Sequence, residues 1–542
     1  MNAPIVESTF TLPLCREQPA FPVRDSRSCQ DWLTSAPLLN VPLAQRQLRD
    51  LLHGLNGTVL PAADRLKILE KLYEAITMVQ DSQSRKYAGK PIPLLPEQQV
   101  IWQEVQALWR ELLTGYWLVL DEAASGSPEA LEFGVFAGQR ALIFLAAWHR
   151  EHYVIDRVVP NDGWVLMYEL YRVLESAGWT RKQVKALGRR EGDMGTPEAA
   201  CCHALLLNLA NPNQLNPRQL LYVDQLLGEW AGKAHLVAQL PPESRLAVVA
   251  LDLGKQDAPY FVGQSTPGSV APRYLMRDKL VAWLGKQIKS LRAGATAESI
   301  GMADATGVGG VGFLTLLYRA WSEKSERSFP RQTISAEVGL GNDWSHIYSY
   351  LTGTLFQPVG QKKELSASNM SDFALFGRRS DETFHSGADH TIQLPPLEDW
   401  QVLDESANGL RLSCSESFYR WQQQQVVLLR RGLIGERIAV VRRLHHIAGR
   451  HLELGVQIIP GDPMGVIAYP TGVQALVGQP QPAVLLPEVS AIRQVASLIT
   501  PTGTFVVDKI IDIKTNDAVR RYKLSSLIER GANFERFTVE IA

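Results

Sequence analysis

Apolar side chains recur at helical spacing through the first half of the chain. An apolar residue returns every three or four positions, with charged residues between, which places the apolar groups on one face of an α-helix. The pattern predicts an α-helical domain over residues 41–240, either a bundle or a solenoid, after an irregular, proline-rich segment at 1–40. The apolar positions include Leu66, Leu69, Leu72, Tyr73, Ile76, Ile101, Val105, Leu108, Leu112, Leu166, Leu170, Val173 and Leu174.

The pattern changes beyond residue 240. Residues 246–253 form an apolar run typical of a buried strand, and helical spacing returns at 280–291, so we expect a mixed strand and helix region at 241–325. Farther on, short apolar runs alternate with Gly- and Pro-rich turns, as in barrels and sandwiches. The expected fold class is multidomain α+β, with an all-helical N-terminal region followed by two antiparallel β-barrels, at 326–460 and, smaller, at 461–542.

The composition is that of an ordinary globular protein. The chain has 542 residues, of which 45% are hydrophobic and 20% charged, and its net charge is −1. A neutral chain has no overall attraction to nucleic acid polymers or anionic membranes, so a charged ligand requires a local site. Its five cysteines show neither disulfide nor zinc spacing. We expect a cytoplasmic protein with no secretory signal and no membrane span.

Two short motifs in the strand-rich half contain the candidate ligand-binding residues. The first is Arg327-Ser328-Phe329-Pro330-Arg331, in which two guanidinium groups can bind phosphate and stack on bases. In the second, Asp404-Glu405-Ser406-Ala407-Asn408-Gly409, a carboxylate and a hydroxyl can engage the N–H edge of guanine, and the glycine allows close approach. Taken separately, the first is also typical of a solvated surface and the second of an ordinary turn.

Together the motifs resemble those of the PilZ domain family, small β-barrels that bind the bacterial second messenger cyclic di-GMP. Arg327 and Arg331 match the family's Arg-x-x-x-Arg, and Asp404, Ser406 and Gly409 match its Asp/Asn-x-Ser-x-x-Gly. Residues 434–443 and 452–459 resemble the strands that follow. The resemblance implies that these five residues bind cyclic di-GMP, the arginines at phosphate and guanine, Asp404 and Ser406 at a guanine edge.

The chain departs from the family pattern in two ways. Residues 342–395 separate the motifs, and we interpret them as an insertion with its own helix that the barrel accommodates as a surface excursion. A second arginine often precedes the first motif in the family, but Glu326 occupies that place here. The carboxylate bears on ligand affinity and stoichiometry more than on the fold.

The predicted function is a cytoplasmic cyclic di-GMP receptor, not an enzyme, with no catalytic residue, metal or cofactor. The helical region is expected to carry the output through an unidentified protein partner. One alternative is a PilZ-like scaffold that works without the ligand. Another is an enzyme that binds a dinucleotide at the glycine-rich segment 307–312, which contains Gly-x-Gly-x-x-Gly before a helix. The pathway and the oligomeric state do not follow from the sequence.

Overall fold

A computed structural model describes most of the chain in two compact units, Met1–Ser328 and Phe329–Ala542. The residues described are 10–187, 193–240, 246–262, 269–300, 302, 307–323, 332–356, 394–432, 435–471, 479–489, 494–515 and 518–542. The first unit is mainly helical and the second consists of β-barrels. This confirms the predicted fold class.

The first unit packs its helices around α4, the longest of those described. Tyr116 and Leu112 on α4 are fully buried, in a core that continues through α2, α3 and α5. The helices are α1 (Ser26–Ser35), α2 (Val41–Asn56), α3 (Ala62–Ser84), α4 (Pro96–Ala124), α5 (Gly134–Tyr153), α6 (Asn161–Ser176), α7 (Pro197–Leu209), α8 (Pro217–Trp230), α9 (Asp278–Arg292) and α10 (Gly310–Ser322).

Helix α1 corrects the expectation that residues 1–40 are irregular. The carboxylate of Asp25 accepts hydrogen bonds from the backbone N–H groups of Arg27 and Ser28, and the Ser28 hydroxyl accepts one from the Asp25 N–H. This reciprocal capping box satisfies backbone donors that a helix start otherwise leaves unpaired. The prolines of the segment lie outside α1, where they do not interrupt its hydrogen bonds.

Short strands accompany the helices of this unit. Strands β1 (Val184–Lys185) and β2 (Met194–Gly195) pair with each other. A four-stranded sheet in the order β3-β6-β4-β5 is formed by β3 (His235–Val237), β4 (Val249–Asp252), β5 (Tyr260–Phe261) and β6 (Pro272–Met276). Strand β4 lies within the apolar run 246–253 for which a strand was predicted, whereas β1, β2 and β3 lie inside the stretch 41–240 that was predicted to be helical.

The second unit contains two closed antiparallel barrels of six strands each. The first has the order β10-β11-β12-β9-β8-β7, and the second has β13-β14-β15-β18-β17-β16. Counted from its own first strand, each barrel therefore follows the same path. The strands are β7 (Ala336–Gly341), β8 (Glu398–Ser406), β9 (Gly409–Cys414), β10 (Val426–Arg430), β11 (Glu436–Ala448), β12 (His451–Ile458), β13 (Met464–Pro470), β14 (Gln481–Leu486), β15 (Ser497–Thr500), β16 (Ile510–Lys514), β17 (Val519–Arg530) and β18 (Glu535–Ile541).

Helix α11 (Trp344–Thr352) joins the two barrels and corrects the prediction that 342–395 is a surface excursion. Its Ile347 is fully buried in a core that both barrels build, and the Trp344 indole N–H donates to the carbonyl of Asn533, 3.0 Å away. The apolar face of an amphipathic helix gains more from burial than from exposure on a barrel surface. Residues 357–393 of the predicted insertion lie outside the described part of the chain.

One described helical stretch, Leu131–Tyr153, is long and apolar enough to cross a membrane by length and composition. Of its most apolar window, 61% is buried inside the helical unit. Core helices pass the same test, so this stretch does not establish a membrane span.

Candidate functional site

The second motif forms the turn between β8 and β9 on the first barrel. Asp404 is paired with Arg411 across the two strands, and Ser406 is paired with Gly409. The Ser406 hydroxyl donates to the Gly409 carbonyl over 3.2 Å, which closes the tight hairpin. The structure therefore brings Asp404, Ser406 and Gly409 together, as the motif predicts.

Gly409 sits where another backbone leaves no room for a side chain. A Cβ atom at this position would lie 2.3 Å from the carbonyl oxygen of Val456 on β12. The Ile458 N–H also donates to the Asn408 carbonyl, 2.9 Å away, which holds β12 against the turn. Packing within the barrel thus requires glycine here, independently of any ligand.

Asp404 shares an outward-facing ion-pair group with β9 and β12. Its carboxylate lies 3.9 Å from one guanidinium nitrogen of Arg411. The other terminal nitrogen of Arg411 lies 2.7 Å from a carboxylate oxygen of Glu453. Arg411 stands between the buried Leu410 and Leu412, so its side chain points away from the barrel interior. The Asp404 side chain keeps 15% of its surface exposed, enough to meet a ligand at the barrel surface.

The row of paired residues that contains Asp404 and Arg411 continues across the sheet to Gly455, which has no side chain. Gly455 on β12 is paired with Arg411 on one side and with Arg443 on the other. Because residues in such a row point to the same face, two arginines flank a position without a side chain. Arg411, Arg443 and Gly455 were not among the predicted site residues. Their strand spacing was visible in the sequence, but the pairing that aligns them with Asp404 was not.

His445 lies on the same face, among charged side chains of both signs. Its pKa is lowered to about 4, mainly by burial and also by the charges of Arg443 and Arg411, against an opposing effect from Glu453. The imidazole is therefore neutral near neutral pH, and the two guanidinium groups supply the positive charge. Guanidinium groups bind anionic groups of a ligand through paired N–H donors, and here they stand beside the carboxylates of Asp404 and Glu453.

The first motif, with Arg327 and Arg331, lies outside the described residues. The residue after it, Gln332, is described and pairs with Glu405 inside the second motif. The Gln332 N–H donates to the Glu405 carbonyl over 2.9 Å, and the Glu405 N–H donates back over 3.0 Å. The chain segment that follows the arginine motif is thus hydrogen-bonded to the Asp-Ser turn.

Arg442, at a bulge in β11, links this face to the second barrel. The regular pairing of β11 with β12 shifts between Val441 and Arg443. The Arg442 guanidinium donates to both carboxylate oxygens of Glu529 on β17, and its Nε donates to the side chain of Gln457 over 2.8 Å. Gln457 is itself the backbone partner of Gly409. A continuous set of contacts therefore leads from the motif to the second barrel.

The other sequence candidates show ordinary structural roles. No group of His, Cys, Asp or Glu that could hold a metal ion occurs among the described residues. In the glycine-rich segment, α10 begins at Gly310, and the Gln219 side chain donates to the Val308 carbonyl over 3.0 Å. Of the five cysteines, Cys29, Cys201 and Cys202 are buried, Cys15 is exposed and Cys414 is intermediate.

Comparisons with known proteins concern both units. Residues 27–242 match the family model described as the N-terminal domain of the cyclic-di-GMP receptor FimW. Residues 471–542 match the model of the FimW C-terminal β-barrel domain, which here includes β14 to β18. A curated relative, the cyclic-di-GMP receptor FimW of Pseudomonas aeruginosa, is 24% identical over an alignment of 551 positions, which covers 93% of this chain and 89% of the relative.

Proposed function

We propose that this chain is a cyclic di-GMP receptor whose ligand binds on the outer face of the first barrel, a PilZ-like domain. The observation that carries the proposal is the hairpin of Asp404, Ser406 and Gly409, with Gln332, the residue after Arg331, paired beside it. Similarity along nearly the whole chain to a protein named as a cyclic di-GMP receptor supports the same ligand.

The roles of the site residues follow from their chemistry. The Asp404 carboxylate accepts hydrogen bonds from the N–H edge of guanine, and the Ser406 hydroxyl assists it. Arg327 and Arg331 bind phosphate and stack on guanine. Arg411 and Arg443 add positive charge on either side of Gly455, where the missing side chain lets a flat ligand lie close to β12.

Ligand binding acts by changing an equilibrium between conformations rather than by catalysing a reaction. A ligand that contacts both motifs favours the conformation in which they are close. The helical unit then carries the output through contact with a protein partner in the cytoplasm. The protein is accordingly proposed to be a receptor and not an enzyme.

Calorimetric titration of the full chain with cyclic di-GMP tests this function. Wild type is expected to bind, and Arg331→Ala and Asp404→Ala are expected to lose measurable binding because each removes a charge-assisted contact. The matched control is Arg520→Ala, which removes an exposed arginine from β17 of the second barrel. Cyclic di-AMP serves as the control ligand because adenine lacks the guanine N–H edge.

The titration also separates the alternative functions. Absence of heat with wild-type protein, together with absence of competition, would refute the receptor and leave a PilZ-like scaffold that binds partners without the ligand. If Arg331→Ala and Asp404→Ala both bind cyclic di-GMP as wild type does, the ligand binds outside the proposed site. A thermal shift with NAD or FAD that depends on Gly309 would instead favour the dinucleotide enzyme.

A further inference from the structure

The helical unit contains a second group of chemically distinctive side chains, between α4 and α5. This α4–α5 cluster consists of Trp102, Gln106 and Arg110 on α4, Trp148 and His152 on α5, and Arg157 after the end of α5. Along α4 the members are four residues apart and so share one face, and the two members on α5 are likewise four apart. The imidazole of His152 packs against two indoles, with ring centroids 5.4 Å from Trp102 and 4.6 Å from Trp148.

The cluster concentrates buried polar atoms for which the described residues offer no hydrogen-bond partner. Both amide atoms of Gln106, both ring nitrogens of His152 and the indole nitrogen of Trp148 are of this kind. Gln106 and His152 are only 8% and 6% exposed. Buried polar groups are nearly always satisfied, so five such atoms on facing helix turns point to a bound molecule that satisfies them.

The electrostatics of the cluster favour an anion over water alone. The Arg157 guanidinium lies over the Trp102 ring at 5.0 Å from its centroid, and the Arg110 guanidinium lies 5.8 Å from that of Trp148. Burial lowers the pKa of Arg157, with no carboxylate of the described residues acting against it. The pKa of His152 is also lowered to about 3, mainly by burial and further by His149 and by the guanidinium groups of Arg157 and Arg110.

The carboxylate of Glu151, adjacent to His152 in the sequence, is paired with residues outside the cluster. One carboxylate oxygen of Glu151 accepts from the hydroxyls of Ser84, over 2.9 Å, and Tyr87, over 2.5 Å. The other accepts from Arg150 over 3.0 Å. The Glu151 carboxylate is thus committed to another set of partners, and Glu111, adjacent to Arg110, is likewise paired with His53 and Asn56.

The unpartnered atoms also define what the bound molecule must offer. The amide of Gln106 and the indole N–H of Trp148 donate, as does one nitrogen of neutral His152. The amide oxygen of Gln106 and the second nitrogen of His152 accept. A fitting ligand therefore combines negatively charged oxygens with at least one O–H or N–H group.

We propose that the α4–α5 cluster is a second binding site, for a small oxyanion that also donates a hydrogen bond. Inorganic phosphate and hydroxy acids both have this chemistry, because phosphate retains a proton near neutral pH. Sulfate and simple carboxylates are the matching anions without a donor. The site lies in the helical unit and does not depend on the cyclic di-GMP site of the barrel.

The experiment follows the Trp148 indole signal in the full chain labelled with [15N]tryptophan, which gives 13 indole signals, and Trp148→Phe assigns the one of interest. Phosphate, sulfate, lactate and propionate are titrated at constant ionic strength. We expect a saturable shift of the Trp148 signal with phosphate or lactate. The response to the matching anion without a hydrogen-bond donor, sulfate for phosphate and propionate for lactate, should be weaker. Preference for phosphate identifies a phosphate site, and preference for lactate identifies a hydroxy-acid site.

Variants separate binding from folding. Arg110→Gln and Arg157→Gln are expected to weaken binding about tenfold or more, as loss of a charge-assisted hydrogen bond does, whereas the exposed Arg46→Gln on α2 leaves it unchanged. Gln106→Leu should weaken binding while the anion-free melting temperature stays equal or rises, because an unpaired buried amide is removed. Equal responses in wild type and all variants, or no shift of the Trp148 signal with any anion, would overturn the site.

Discussion

Replacement of Gly409 by alanine distinguishes the two roles that glycine can play in the second motif. If Gly409 serves only to let a ligand approach, the variant folds normally and binds more weakly. The structure predicts otherwise, because the added Cβ would lie 2.3 Å from the Val456 carbonyl oxygen. That oxygen belongs to a strand held by pairing on both sides, β9 and β11, so it cannot move by itself.

The size of the effect follows from the displacement required. An ordinary contact at about 3.4 Å would need a shift of about 1 Å in β12, and overpacking of this kind costs about 1–3 kcal/mol. A unit of 150–250 residues melts about 2–4 °C lower per kcal/mol, so we expect a fall of about 2–12 °C in the Tm of the barrel unit. Ser406→Ala, which removes one partly exposed hydrogen bond, should cost only about 0.5–1 kcal/mol.

Calorimetric melting and amide hydrogen exchange of the full chain measure this difference. In Gly409→Ala, the amides of β9 and β12 should exchange faster without ligand, whereas Ser406→Ala serves as the control with near-normal exchange. The reasoning would be refuted if Gly409→Ala kept the wild-type melting temperature and exchange rates and lost only cyclic di-GMP affinity.

Three further outcomes follow from buried or paired groups. Burial alone would lower the pKa of His346, but its hydrogen bond to Asp343 raises it, and the same bond helps to lower the pKa of Asp343. The His346 contribution is complete below about pH 6.5 and lost as pH rises through its folded pKa, and that of Asp343 is complete above about pH 4 and lost in acid. Urea unfolding should thus show wild type losing more stability than His346→Gln between neutral and alkaline pH, and equal slopes would contradict it. A double-mutant cycle of Arg442→Met and Glu529→Gln should give a coupling of about 1 kcal/mol, since the ion pair has two hydrogen bonds but is partly exposed, and zero coupling would show that this ion pair does not stabilise the contact between the barrels. Thiol labelling of the native chain should modify exposed Cys15 first, and faster reaction of a buried cysteine would contradict the packing.

Local features of the site were predictable from the sequence, because neighbours along the chain determine them. The turn between β8 and β9 needs Asp404, Ser406 and Gly409 within six positions, and the alternation of Leu410, Arg411 and Leu412 predicts a strand with one buried face. The structure has both features. Helix α1 also depends on local sequence, but it was not predicted. The many prolines around it indicated an irregular segment, and the capping residue Asp25 was given less weight.

Features that depend on distant partners were not predictable. The row that joins Asp404 to Gly455 and Arg443 requires the pairing of four strands, and strand periodicity gives the face of a residue but not its neighbour. The apolar spacing of α11 likewise predicts a buried face without saying which surface covers it. Ile347 packs against strands of both barrels, and this is why a predicted surface insertion became part of the core.

The position of α11 has a consequence for synthesis on the ribosome. The helix and all six strands of the first barrel have been translated by Ile458, but several residues that cover Ile347, among them Val484 and Phe534, are translated later. The Asn533 side chain, which accepts from the Val426 N–H of β10 over 2.8 Å, is also translated after the first barrel. The first barrel is therefore synthesised before the residues that cover the apolar face of α11, and until they follow, this face is exposed to aggregation.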